Sequence, residues 1–217
     1  MMQKMSKVAW IERSGPGRLG ISSAPGGKSL AEDLQAAKDA GVHEIVSLLT
    51  ADEVESCALR DEAETARKLG MKFKRFGIQD HGVPTVDRGL DGFLKGIARE
   101  LKNGRSVLIH CNAGKGRSGI IARAVMAMEG MDVDEAMSAM RSARQSKVPE
   151  TDEQEQWLRD FARQYRPLVR VEPVAAGDSE GIQRLRTAVV LGVVCILGVA
   201  SYLGYRKSKQ HRVLRWL

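Results

Sequence analysis

Residues 109–119 read IHCNAGKGRSG: Cys111 follows an apolar run, glycines stand at 114, 116 and 119, and Arg117 lies six positions beyond the cysteine. Glycine permits the backbone angles by which successive N–H groups turn toward one point, and a helix opening on the same loop aims its positive end there. The amides of Asn112, Ala113, Gly114, Lys115, Gly116 and Arg117 are therefore expected to cradle a tetrahedral dianion, which the planar guanidinium of Arg117 closes by gripping two oxygens. The same field favours a thiolate at Cys111, so the loop holds an oxyanion and sets a nucleophile against it. A nucleotide-binding Walker loop is a poor match, because AGKGRSG lacks its Gly-x4-Gly-Lys-Ser/Thr spacing. A buried structural cysteine is the plainer alternative, and the neighbouring His110, the glycines, Arg117 and Ser118 weigh against it.

Such a loop needs a strand before it and a helix after it. Apolar runs predict strands over 44–49, 71–78 and 106–110, and amphipathic periodicity predicts helices over 29–41, 62–70 and 89–104. Three more helices are predicted beyond the loop, over about 118–129, about 133–144 after an Asp132 cap, and about 151–165. VAWIE and RLGIS, near the start of the chain, are read as added edge strands. Strands alternating with helices predict an α/β fold with a mostly parallel central sheet flanked by helices.

The chain has 217 residues, 43% hydrophobic and 28% charged, enough for one well-cored domain and an appendage. Its net charge of +7 suggests a nucleic-acid partner until the charges are located. All seven basic residues of the excess, Arg184, Arg186, Arg206, Lys207, Lys209, Arg212 and Arg215, lie in 181–217, where there is no acid; 27 basic and 27 acidic residues remain in 1–180. The domain is near neutral and has no aromatic-lined basic stripe, so no nucleic acid is expected as a partner. Cys57, Cys111 and Cys195 are three cysteines at spacings of no metal motif, so neither a disulfide framework nor a metal site is expected. No cofactor is expected either.

Residues 166–183, with two prolines and two glycines, read as a linker between a domain at 1–165 and a tail at 184–217. Thr187 to Tyr205 carries no charge over 19 residues. As a helix it would reach about 28 Å, the thickness of a bilayer's hydrocarbon, so it is read as a transmembrane helix rather than a buried core helix. Five basic residues beyond it favour a cytosolic C-terminus, whereas a domain with no apolar leader belongs on the cytosolic side itself. A single-pass C-terminal anchor with a cytoplasmic domain is the reading adopted; a tail lying on anionic lipid would reconcile both facts. In either case membrane lipid is an expected partner.

HCNAGKGRSG resembles the His-Cys-x5-Arg-Ser/Thr signature of the cysteine-dependent protein tyrosine and dual-specificity phosphatases. LGISSAPGGK, GIQDHGVP and PETDEQEQWLRDF are similar, in the same order, to segments of the family's kinase-associated branch, and the likeness covers roughly residues 10–165. The resemblance implies a protein tyrosine phosphatase-like fold and hydrolysis of phosphomonoesters without a metal. It casts Cys111 as the nucleophile, Arg117 and the loop amides as holders of the phosphoryl oxygens, Asp80 as the general acid with Asp87 as fallback, and Ser118 as donor to the departing sulfur. His110 is expected to brace the loop through backbone hydrogen bonds. Relatives often carry Gln-Thr-x-x-Gln where this chain has Glu150, Thr151 and Gln154, so Glu150 either serves hydrolysis as a base or repels the phosphate. The substrate expected is a phosphorylated protein. Lys115 and the similarity to phosphoinositide phosphatases make a lipid headgroup the rival, and a phosphate-binding adaptor with little turnover is the alternative outside enzymology. Cys57 is read as a packed residue on a helix, with redox pairing to Cys111 as its other reading.

Overall fold

In the computed structural model, which describes residues 5–144 and 150–164, the chain runs β1 (Ala9–Ile11), β2 (Leu19–Ser23), α1 (Leu30–Asp39), β3 (Glu44–Ser47), α2 (Ala51–Ser56), α3 (Glu62–Lys68), β4 (Lys72–Arg75), α4 (Arg88–Lys102), β5 (Val107–Cys111), α5 (Gly116–Met128), α6 (Val133–Arg144) and α7 (Asp152–Gln164). The five strands form one sheet in the order β1-β2-β5-β3-β4. β1 runs antiparallel to β2, and the remaining pairs are parallel. The sheet is therefore mostly parallel, as the alternating pattern requires. One expectation is corrected: the RLGIS strand is not an edge, because β2 lies between β1 and β5, pairing Leu19 with Val107 and Ser23 with Cys111. Its neighbour β1 is the edge, and the Arg18 guanidinium stacks over the ring of Trp10.

The period of two along β5 assigns its side chains to opposite faces. Val107, Ile109 and Cys111 join the core that Leu94 and Ile97 of α4, Ile120 and Val125 of α5, Met140 of α6 and Phe161 of α7 complete. Leu108 faces the other way, into a smaller core with Leu34 and Ala37 of α1 and Ala66 of α3. The nucleophile and its neighbour His110 are thus sent to opposite faces by strand geometry alone. Asp132 accepts from the amide of Asp134 at 2.9 Å at the start of α6, as its reading as a cap requires. Helix α2 was anticipated only in the reading of Cys57 as a helical residue, without bounds, although Thr50 and Glu53 form a complete capping box, the signal that could have set its start.

α5 is buried from Gly116 to Ala127 and carries two buried arginines, Arg117 at its start and Arg123 in its interior. Arg123 has no exposed surface; its Nε donates to the Gly119 carbonyl at 3.3 Å, while Nη1 and Nη2 find no hydrogen-bond partner among the described residues. Burial lowers its pKa to about 10, against the attraction of Glu155 and with the repulsion of Arg141. Because the folded value lies below the unfolded one, the cost of burying the charge is fully present at neutral pH and eases as pH rises through about 10. Arg123→Met is expected to stabilise the fold at pH 7 by roughly 2–3 kcal/mol, read from denaturant midpoints, with the gain narrowing in alkali.

Among the described residues no helix is long and apolar enough to cross a membrane. The linker at 166–183, the proposed span at 187–205 and Cys195 lie outside the described residues.

Candidate active site

β5 ends on Cys111 and α5 begins at Gly116, so the glycine-rich loop is the short bridge between them. Gly114 has φ +72°, a left-handed conformation that favours glycine, and a β-carbon there would overlap the carbonyl of Ser22 on β2. The loop therefore lies against the end of β2, where Ala24 N–H donates to the Asn112 carbonyl at 3.0 Å. Its curvature turns the Gly114 amide onto Cys111 Sγ at 3.2 Å, and Ser118 Oγ lies 3.5 Å from the same sulfur. Cys111 and Arg117 are each 2% exposed. The sulfur sits at the floor of the loop with a backbone donor and a hydroxyl already on it.

Arg117 is held from three sides. Its Nη1 and Nη2 donate to the two carboxylate oxygens of Glu53 at 2.7 and 2.8 Å, Nη1 also donates to the Ile78 carbonyl at 2.9 Å, and Nη2 pairs with Asp80 Oδ1 at 2.8 Å. Burial acts against its charge, but the Glu53 hydrogen bonds, the Cys111 sulfur and Asp80 outweigh burial and hold it above the ordinary arginine range. Burial likewise pushes Glu53 upward, and hydrogen bonds from Arg117 and Thr50 more than offset it, holding its carboxyl below the usual value. Asp80 comes from a tight loop in which His81 takes φ +59° and gives its N–H to Asp80 Oδ1 at 3.1 Å. Its side chain is 55% exposed, so one face stays open above the cradle while the other rests on Arg117. α7 secures this loop: Gln154 Nε2 donates to the Gly82 carbonyl at 3.3 Å and Trp157 Nε1 to that of Pro84 at 2.9 Å.

A buried sulfur with a loop amide and a hydroxyl on it, an anchored arginine and an overhanging carboxyl together suit attack on a phosphoryl group. Residues 38–164 match the family model described as dual specificity phosphatase, catalytic domain. The chain belongs to the dual specificity phosphatases. It is 24% identical over 151 residues to cyclin-dependent kinase inhibitor 3 of Rattus norvegicus, an alignment covering 66% of this chain and 71% of that protein. It is 31% identical over 137 residues to protein tyrosine phosphatase domain-containing protein 1 of Mus musculus, covering 59% of this chain and 18% of that one. The fold is similar to the crystal structure of a kinase associated phosphatase whose catalytic site cysteine is substituted by serine, with a TM-score of 0.67, 21% identity and coverage of 75% of this chain and 97% of that one. In this dual specificity phosphatase the sheet extends past the family match, since β1 and β2 precede residue 38.

The other expected site residues of the phosphatase take different places. Glu150 reaches the loop directly, its Oε2 accepting from the Gly116 amide at 3.0 Å. Gln154 is fully buried; its Oε1 accepts from the Glu150 amide at 3.2 Å and its own amide donates to Thr151 Oγ1 at 3.2 Å. Lys115, half-buried, is the residue before α5. Asp87 is committed elsewhere, capping α4 through the Leu90 amide at 2.8 Å. His110 departs from its expected role. Its buried Nε2 lies 2.7 Å from Glu62 Oε1 on α3, a close contact without hydrogen-bond geometry, and among the described residues neither ring nitrogen has the backbone hydrogen bond that was expected. Cys57 is the C-cap of α2, half-buried beside the small core of Leu49, Val54 and Leu59. Glu53 and Glu62 are the functional neighbours that sequence reasoning missed. Glu53 was visible as half of a capping box; nothing in the sequence marks Glu62.

Proposed function

We propose that the chain hydrolyses phosphomonoesters on proteins through a phosphocysteine intermediate, with a lipid phosphate as the second reading. The observation that carries it is the sulfur of Cys111, buried at the loop floor with the Gly114 amide at 3.2 Å and Ser118 Oγ at 3.5 Å. In the first step the thiolate attacks phosphorus, a sulfur–phosphorus bond forms, and the phosphorus–oxygen bond to the leaving group breaks as Asp80 gives that oxygen its proton. Arg117 and the amides from Asn112 to Arg117 hold the equatorial oxygens. In the second step water attacks phosphorus, Asp80 takes a proton from it, and the sulfur leaves as a thiolate to which Ser118 donates.

A phosphoprotein is the first choice because the relatives matched over most of the domain include one named for a cyclin-dependent kinase and one named for a protein tyrosine phosphatase domain. Lys115 supports the lipid reading, since a cation at the start of α5 adds attraction for a headgroup carrying several phosphates. The test is phosphate release by the full chain from phosphotyrosine and phosphothreonine peptides and from phosphoinositide vesicles, assayed together. Release from a peptide supports the first reading and release from vesicles alone the second. A burst of dephosphorylated product followed by a slow phase marks an enzyme with poor hydrolysis of its intermediate, binding of a phosphopeptide with no release supports an adaptor, and neither binding nor release on all three refutes the proposal.

The chain is further proposed to sit on a membrane through 187–205, with its domain on the cytoplasmic side. Deleting 184–217 is then expected to move the protein from the membrane pellet to the supernatant after carbonate washing, while aryl phosphatase activity in detergent stays within twofold. An intact chain that carbonate removes from membranes would contradict the anchor.

A further inference from the structure

The cradle already holds carboxylates. A helix leaves the N–H groups of its first turn without intrahelical acceptors, and those of α5 open on the loop that begins at Cys111. In this chain the first of them, on Gly116, gives its hydrogen to Glu150 Oε2 at 3.0 Å. A β-carbon at Gly116 would run into that same oxygen and into the Gln154 amide, so the carboxylate is seated directly against the loop backbone. Glu150 is held there from behind: its own amide donates to the buried Gln154 side chain. Asp80 Oδ1 in turn occupies Nη2 of Arg117, the next residue along. Two donors suited to phosphoryl oxygens, one from the main chain and one from the arginine, are thus engaged by the protein's own anions.

We infer that Glu150 is an internal competitor for the phosphoryl group, a residue that sets how tightly the cradle holds any tetrahedral dianion. This rests on the phosphatase reading of the same loop. An incoming dianion has to displace the Glu150 carboxylate from the Gly116 amide and then bear its charge nearby, so binding is weakened twice, by lost hydrogen bonding and by repulsion. Inorganic phosphate, the product, meets the same competitor. Glu150 therefore opposes product retention as well as substrate binding, and it suits a catalyst that works where free phosphate is abundant.

The test is direct binding of tungstate, a tetrahedral dianion, to the full chain at pH 7 by calorimetry, comparing wild type with Glu150→Gln. Glutamine keeps the shape and still accepts from Gly116, but carries no charge. Tungstate is expected to bind Glu150→Gln about tenfold more tightly, a direction that damage to the fold would not produce. Equal or weaker binding overturns the inference while leaving the cradle standing. No binding to either chain overturns the cradle and the inference with it. A structure of the wild-type chain with tungstate supplies a check that needs no variant: Glu150 is expected to have left the Gly116 amide, and a carboxylate still hydrogen-bonded there beside the bound ion refutes the competition.

Discussion

Cys111→Ser is expected to abolish steady-state phosphate release, by about 10⁵-fold or more, while the chain still binds phosphorylated peptide. The reasoning separates the loop's two tasks. Binding depends on backbone amides and on Arg117, whose pairing with Glu53 does not involve the cysteine side chain. Attack depends on the sulfur as nucleophile, and a serine hydroxyl is a far weaker one. Serine fits the space, being slightly smaller at a position that is 2% exposed, so the loop is expected to keep its shape. The measurement pairs initial rates on an aryl phosphate with calorimetric titration of a phosphopeptide. Wild-type turnover by Cys111→Ser would remove the phosphocysteine, whereas loss of binding together with turnover would mean that the sulfur itself helps shape the loop.

Asp80→Asn is expected to slow the first step by roughly 10²–10⁴-fold for substrates whose leaving oxygen is strongly basic, and much less for a nitrophenyl phosphate. A general acid matters in proportion to the proton demand of the leaving group, so the ratio between the two substrates is the diagnostic. The same change takes a negative charge off Nη2 of Arg117, where Asp80 Oδ1 now lies at 2.8 Å. KM is therefore expected to fall while kcat falls, a pattern that a merely misfolded loop does not give. An equal loss on both substrates would return Asp80 to the status of a structural partner of Arg117. Asp87 is no replacement, because its side chain is spent on the start of α4.

The central sheet and the loop were legible in the sequence because both signals are local. The apolar runs at 44–49 and 106–110 are short, bounded by turns and buried on both faces, which is the pattern of interior parallel strands. RLGIS misled because its short run, broken by Gly20, carries no mark of central position; the tight packing of Val8 and Trp10 over Gly20 explains the glycine only after the fold is known. His110 misled for a related reason. Period-two alternation sends its ring to the α3 face, and the buried carboxylate waiting there belongs to a helix 48 positions earlier in the chain.

By itself the sequence determined that a thiol, an arginine and a hydroxyl share one small loop. They lie within a span of seven positions, from Cys111 to Ser118, and glycines at 114 and 116 leave such a short bridge between strand and helix few ways to turn. Only the tertiary structure decided which carboxylates attend that loop. Glu53 arrives because β3 lies parallel beside β5, so the chain leaving β3 enters α2 next to Arg117. Asp80 arrives on the loop after β4, and Glu150 at the entrance to α7. A charge placed by backbone dihedrals within a few residues can be read along the chain, whereas one placed by strand register and helix packing appears only when distant segments have met.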